Sequence, residues 1–274
     1  MNKKLRTFYL VTFIFTMLFT SCRKEEEQVL DTVESRNEAV NSFVDKNISA
    51  DEEALTQKNM SGGGGTLCGW TGYFPTCANI SEDNSDFPKI ITVNFGDGCT
   101  GPGGYTRAGI MYIHLTAPFE ETGSVRTVTF EDFSINGVEI TGSRITTNLG
   151  PNTDGQPVFS RVVDTQITHS NGTYHRNFTS EITWLSGYQT SECGDNDWKL
   201  TGSGSNTRSN GTVVTRTITS ALYHYHTCNF ITQGSVQISA PNGTMSIDYG
   251  NGTCDDLATV TGPNGNTITV NLNP

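Results

Sequence analysis

Histidine is the first side chain to ask for acid–base or metal chemistry, and the chain has five. Leu222, His224, His226 and Cys228 share parity, so a strand through them would align two imidazoles and a thiol along one side. A His-x-His pair of this kind binds a transition metal when a neighbouring strand supplies a third ligand. The competing account is a polar strand face ending in a disulfide, and an oxidised Cys228 has no thiolate to offer. His169 and His175 flank the Asn171-Gly172 turn. A two-residue hairpin there pairs Ser170 with Thr173 and His169 with Tyr174, which sends the two imidazoles to opposite faces.

Carboxylates offer two further chemistries. Asp195-Asn196-Asp197, and Asp255 with Asp256 near Asp248, are acidic loops of the kind that hold calcium through several oxygens. Neither matches an EF-hand, and the same residue types set β-turn dihedrals. Glycoside hydrolysis needs two carboxyls facing each other across a cleft, and Glu131, Asp132, Asp164 and Glu181 fall in expected strands. No Gly-x-Ser-x-Gly elbow, phosphate-binding glycine loop or zincin motif occurs. No catalytic residue and no cofactor is therefore assigned, and the chain reads as a binding protein before an enzyme.

Aromatics on a rigid scaffold bind carbohydrate. Trp70, Tyr73 and Phe74, between Cys68 and Cys77, form the densest cluster, and Tyr105, Trp184, Tyr188, Trp198, Tyr223 and Tyr225 are also available. Aromatics in β domains more often fill the core, and that reading stands beside the first.

The seven cysteines divide once the start of the chain is considered. A basic start (Lys3, Lys4, Arg6), an apolar run from Phe8 to Phe19 and the pair Thr20-Ser21 lead to Cys22. That is a signal-peptide layout over residues 1–21. The apolar run falls well short of the roughly 20 residues that a membrane-spanning helix needs. Leu18-Phe19-Thr20-Ser21-Cys22 resembles the bacterial lipobox, whose cysteine receives a diacylglyceryl group, with Phe19 standing where a smaller aliphatic residue is usual. The resemblance implies cleavage before Cys22 and a lipid anchor in a membrane. The other six, Cys68, Cys77, Cys99, Cys193, Cys228 and Cys254, form an even set that reads as disulfides in an oxidising compartment. The spacing singles out one local pairing, Cys68 with Cys77, and leaves the rest open. No Cys-x-x-Cys pair favours zinc.

Beyond Cys22 runs Arg23-Lys24-Glu25-Glu26-Glu27, which resembles the acid-rich export tag of Bacteroidota surface lipoproteins. A plain solvated spacer has the same composition. With 17 basic against 28 acidic residues, and no basic cluster after the leader, nucleic acid is a poor partner.

These side chains must be held by something, and the composition changes along the chain show what. Residues 22–65 are charged, poor in aromatics and end in Ser61-Gly62-Gly63-Gly64-Gly65, which fits a flexible acidic tether. Within it, Asn37 to Lys46 predicts a short helix with Val40, Phe43 and Val44 on one side, and Ser49-Ala50-Asp51-Glu52 has capping-box spacing. Helices this short order only by packing or binding.

Residues 66–274 read as β throughout. Runs rich in Val, Ile, Thr, Phe and Tyr recur between Asn-Gly dipeptides. They predict strands near 89–95, 106–116, 124–135, 138–147, 158–169, 173–184, 197–205, 212–224, 229–239, 244–249 and 267–272. The expected fold is all-β: a large antiparallel, hairpin-rich sheet structure, either sandwich or barrel. Met111, Ile113 and Leu115 oppose Tyr112, His114 and Thr116, while Tyr174, Phe178, Ile182 and Trp184 oppose His175, Asn177, Thr179, Glu181 and Thr183. One face is thus buried and one threonine-rich face is wet.

An internal echo runs through the domain. Thr92-Val93-Asn94-Phe95-Gly96-Asp97-Gly98-Cys99 matches Ser246-Ile247-Asp248-Tyr249-Gly250-Asn251-Gly252-Thr253-Cys254 apart from one inserted threonine. The stretch Asp248 to Thr261 resembles the closing motif of Bacteroidota lipoproteins of unassigned activity, and Gly98-Cys99-Thr100-Gly101-Pro102 resembles their opening one. The resemblance covers residues 89–272 and implies a β domain in the envelope, with no activity to carry across. The expectation is a lipid-anchored outer-membrane protein, surface-exposed, that binds or scaffolds a glycan or a partner protein. An envelope hydrolase acting on polysaccharide and a periplasmic lipid carrier are the alternatives.

Overall fold

The computed structural model describes residues 40–41, 44–45, 48–49, 75–101, 104–170, 172–188 and 195–272. Cys22, Cys68, Trp70, Tyr73, Phe74 and Cys193 lie outside the described residues. The strands are β1 (Asn79–Glu82), β2 (Lys89–Asn94), β3 (Cys99–Thr100), β4 (Thr106–Leu115), β5 (Val125–Ile135), β6 (Val138–Pro151) and β7 (Pro157–His169). They continue with β8 (Gly172–Ser186), β9 (Asp197–Arg208), β10 (Val213–His224), β11 (Ile231–Ala240), β12 (Gly243–Asn251), β13 (Leu257–Thr261) and β14 (Thr267–Asn271). All join one 14-stranded sheet in chain order, with β3 as a short flap beside β4. Every pairing is antiparallel, so the all-β, hairpin-linked reading is what the structure has.

The turns follow from their residues. Asn136 and Gly137 both have positive φ (50° and 76°) between the paired Ile135 and Val138, as a two-residue hairpin with the strands' own twist demands. The β7–β8 turn departs from expectation: His169, not Ser170, is the residue closing the ladder, paired with Gly172. The register moves by an even number of residues. Parity survives, and His169 still faces the side of Tyr174 while His175 faces the other.

Buried residues fall into two clusters. One draws on β2, β4, β5, β6 and the turn end of β7–β8; the other on β7, β8 and β10 to β13. The registers place Val128, Arg144, Val163, Phe178, Gly204, Arg216, Ile238 and Met245 in one continuous row across eight strands. Both clusters therefore sit on the same face, and the sheet buries that inner face by curving upon it. Curvature needs residues without side chains at close approaches. At Gly204 a Cβ would stand 2.1 Å from the Asn177 carbonyl oxygen and 2.7 Å from the Phe178 ring, and at Gly142 (φ 97°) 2.3 Å from the Asp164 carbonyl oxygen.

Part of the stretch expected to be tether also packs on this face. Residues 40–41, 44–45 and 48–49 are helical, and Val40, Val44 and Ile48 enter the first cluster, the latter two only 2% accessible. The next stripe on the helix bonds to the sheet: the Tyr174 hydroxyl donates to Asn41 Oδ1 at 2.9 Å, Arg176 to Asp45, and Arg144 to the Ser49 hydroxyl at 2.6 Å. Ser49, expected from its spacing to cap a new helix, is itself helical and accepts from the sheet. At these residues the boundary between tether and β domain moves, because an apolar stripe and a matching polar stripe find partners that solvent cannot supply.

The disulfides correct the one pairing proposed from spacing. Cys77 is bonded to Cys99, not to Cys68, and Cys228 to Cys254. Nearness in sequence does not bring Cys68 to Cys77, whereas the β1–β2 hairpin returns the chain from Cys77 to Cys99. The two bridges also account for the internal echo. Each closes a hairpin (β1–β2 or β11–β12) across 22 and 26 residues, and each follows a turn in which Asn94 or Asp248 accepts from a glycine amide two residues on, both at 2.8 Å.

Candidate functional site

The metal candidates do not converge. The strand assumed to align His224, His226 and Cys228 stops at His224, so parity fails beyond it. Cys228 is oxidised, His226 is exposed in the following turn, and the His224 ring stacks on Trp198 with centroids 5.0 Å apart and planes 6° apart. Burial pushes the His224 imidazole below its ordinary value, with Asp197 and an Asn196 backbone bond opposing it. Among the described residues no group of three or more His, Cys, Asp or Glu is placed to hold a metal ion.

Asp197 instead joins three segments. Its Oδ1 accepts from the His226 amide at 2.7 Å and from His226 Nδ1 at 2.8 Å, and its Oδ2 accepts from the Ser186 hydroxyl at 2.9 Å. Burial alone would raise this carboxyl; the bonds from His226 and Ser186 outweigh it and lower it. The carboxylate stands between serine and histidine. A nucleophilic relay needs the imidazole in the middle, so this is a clasp between β8, β9 and the end of β10. The Ser186 hydroxyl also meets the Asp195 carbonyl, at 3.0 Å. Asp248 and Asp255 serve their own turns, accepting from Gly250 N and Leu257 N, while Asp256 accepts from Asn271 Nδ2 at the end of β14.

The strand carboxylates face no common cleft. Glu131 accepts from the Tyr112 hydroxyl at 2.7 Å on the exposed side, Asp132 occupies a bulge at positive φ (48°), and Asp164 pairs with His175 on the wet face. Glu181 is exposed, four residues further along β8 from Asn177, the partner of Asp164. That separation is about 13 Å along a strand, on an open surface.

Two arrangements do gather chemistry-bearing residues. The first is aromatic. Trp184 pairs in register with Trp198, and Trp198 with His224, at one end of the inner face. Tyr188 packs on Trp184 and on Phe159, and Phe159 on Phe119, with centroids between 5.2 and 5.7 Å. Trp184, Tyr188, Trp198, Tyr223 and Tyr225 are all half-buried. Trp184, Tyr188 and Trp198, among the aromatics available from the sequence, thus gather here, while Trp70, Tyr73 and Phe74 lie outside the described residues.

The second is a set of guanidiniums. Arg126, Arg144 and Arg176 are buried on the inner face, Arg144 to 1%, and Arg161 is half-buried on the same face of β7. Asp45 meets them from the helical segment: Arg176 Nη1 and Nη2 donate to its two carboxylate oxygens at 3.0 and 2.6 Å, and Arg144 Nη1 lies 3.8 Å away. The paired contact is the fork geometry that makes arginine selective for carboxylates. Burial would raise the Asp45 carboxyl; the charge and bonds of Arg176, then the charges of Arg144 and Arg161, hold it at about 2. Sequence reading missed these residues, although Arg176 has the parity of Tyr174 and Phe178, and a cation in the apolar phase of a strand was the available signal.

No protein-family model, curated protein or solved structure matches the chain.

Proposed function

We propose that this chain is a lipid-anchored envelope protein, held through Cys22 and displayed at the cell surface, whose β domain binds a glycan. The observation that carries the reading is the row Trp184–Trp198–His224, three half-buried aromatic side chains in register on three adjoining strands. Rings fixed on paired strands present apolar faces to a sugar with little conformational entropy to lose. The lipobox-like start supports an anchor, and the acid-rich run after Cys22 supports export to the outer face.

A periplasmic lipid carrier needs a continuous apolar lumen, and here buried guanidiniums interrupt the inner face between its two apolar clusters. A two-carboxylate glycosidase needs facing carboxyls, and those of Asp164 and Glu181 lie apart on the open face. Binding without turnover fits the arrangement better than either.

The test has two arms. Protease shaving of intact cells is expected to remove the β domain, while a Cys22→Ala chain leaves the membrane fraction; a domain protected until the envelope is broken would place it in the periplasm. In the second arm, Trp198→Ala is expected to weaken binding of the purified chain to oligosaccharides about tenfold, in line with a lost binding anchor. Unchanged affinity would sink the aromatic site.

A further inference from the structure

β14 ends the strand order of the sheet, and among the described residues no strand pairs with its outer side. Which backbone groups face that side follows from the hairpin with β13. The Gly262 amide donates to the Asn266 carbonyl at 2.8 Å and the Leu272 amide to the Asp256 carbonyl at 2.6 Å, and between these ends the register runs without a bulge. Antiparallel ladders bond at every second residue, so Ile268 and Val270 bond inward to β13 while Thr267 and Thr269 turn amide and carbonyl to the open edge. Thr267 and Thr269 are exposed, and Ile268 and Val270 are only half-buried at the margin of the second apolar cluster.

An open edge is a template for another strand, and proteins blunt it with charge, proline or a bulge. The opposite edge has such a guard: β1 ends in Glu82, which takes the Lys89 ammonium at 3.1 Å, and Asp83 follows. β14, Thr267-Ile268-Thr269-Val270-Asn271, has neither charge, proline nor bulge. Its pattern also reads alike from either end about Thr269: a β-branched apolar residue on each side, then a short polar one. A strand that pairs antiparallel with its own copy needs that symmetry.

We propose that β14 is a homodimer seam, paired antiparallel with β14 of a second copy about a two-fold axis at Thr269. In that register Thr269 exchanges both backbone bonds with its mate, and Ile268 lies across from Val270 on the inner side, covering apolar surface that each copy alone leaves half open. The inner faces of the two copies then run on as one. Charge is compatible with the seam. Asp256 bonds Leu272, three residues from the axis, so the two-fold sets the Asp256 carboxylates of the copies at least about 20 Å apart, well beyond a Debye length in physiological salt. The seam is independent of the glycan reading, whose aromatic row lies on β8 to β10.

The experiment cross-links the full chain in the cells that make it. Thr269→Cys sets two thiols on directly opposed residues, whose Cα atoms in a bonded pair stand about 5.5 Å apart, inside the disulfide range. Thr259→Cys, on the exposed neighbour in β13, is the control: its two copies lie three strand spacings apart, about 14 Å. Under a mild oxidant, Thr269→Cys is expected to give a disulfide-linked dimer on a non-reducing gel and Thr259→Cys little or none. No dimer from Thr269→Cys, or equal yields from both, overturns the seam. The second readout is sedimentation velocity of the purified chain over about 1 to 300 μM, because so short an edge ranks with weak interfaces. A monomer–dimer equilibrium is expected, weakened at least about tenfold in Thr269→Pro, which removes the amide that reaches the second copy and none that bonds β13. A monomer throughout, or a dimer that Thr269→Pro leaves unchanged, overturns the proposal. If Thr269→Pro fails to fold, the two cysteine variants decide.

Discussion

Asp45 shows how one carboxylate decides the character of a face. Arg144 and Arg176 lie buried in a chain with an acidic balance, and buried cations are tolerated only when paired. Its carboxyl sits at about 2 against an ordinary 3.8, so it contributes stability that is full above about 3.8 and is lost as pH falls through about 2. The side chain is 36% accessible, and solvent screening holds the contribution to about 1 kcal/mol. Denaturant titrations at stepped pH should show this loss between about pH 4 and pH 2. Asp45→Asn should lack that component and be less stable than the parent at neutral pH; parallel pH profiles for the two chains would remove Asp45 from the account.

At the scale of elements, hairpins and bridges hold the ends of the sheet. Cys77–Cys99 ties the entry to β1 to the start of β3, and Cys228–Cys254 ties the entry to β11 to the turn after β12. Non-reducing peptide mapping is expected to recover these two linked pairs, and a Cys68–Cys77 peptide would contradict the arrangement. Replacing both members of one bridge by serine should cost about 3 kcal/mol, the usual worth of a loop of this size. Strand positions were legible because β-branched runs alternate between Asn-Gly turns, so the expected strands from 89 to 272 fall within a few residues of the observed ones. The elements not foreseen, β1, β3 and β13, are short, and a few residues carry too little periodicity to be seen; pairing with the longer β2, β4 and β12 forms them.

The described chain folds one inner face over itself and over the helical residues 40–41, 44–45 and 48–49. Val163 and Phe178 serve one cluster while Ile167 and Tyr174, on the same strands, serve the other, so β7 and β8 couple both halves. A fragment of residues 66–274 loses the packing of Val44 and Ile48 and the Asp45 bonds. It should be about 2–4 kcal/mol less stable than a chain that keeps residues 23–65, after the entropy of ordering the helix is set against the apolar burial. Equal denaturation midpoints for the two would return those residues to a free tether.

By itself the sequence determined what depends on near neighbours: strand class, alternation of faces, turn positions, and the grouping of polar side chains on a wet side. Local pattern settles these because a strand's two faces repeat every second residue. The tertiary structure alone decided what depends on distant partners. Arg126, Arg144, Arg161 and Arg176 come together because registers across β5 to β8 stack them on one face. Trp184 meets Trp198 across a ladder, and Cys77 finds Cys99 around a hairpin. His224 and His226 part because the strand ends between them. No spacing along the chain encodes such meetings; register, curvature and the docking of Asp45 do.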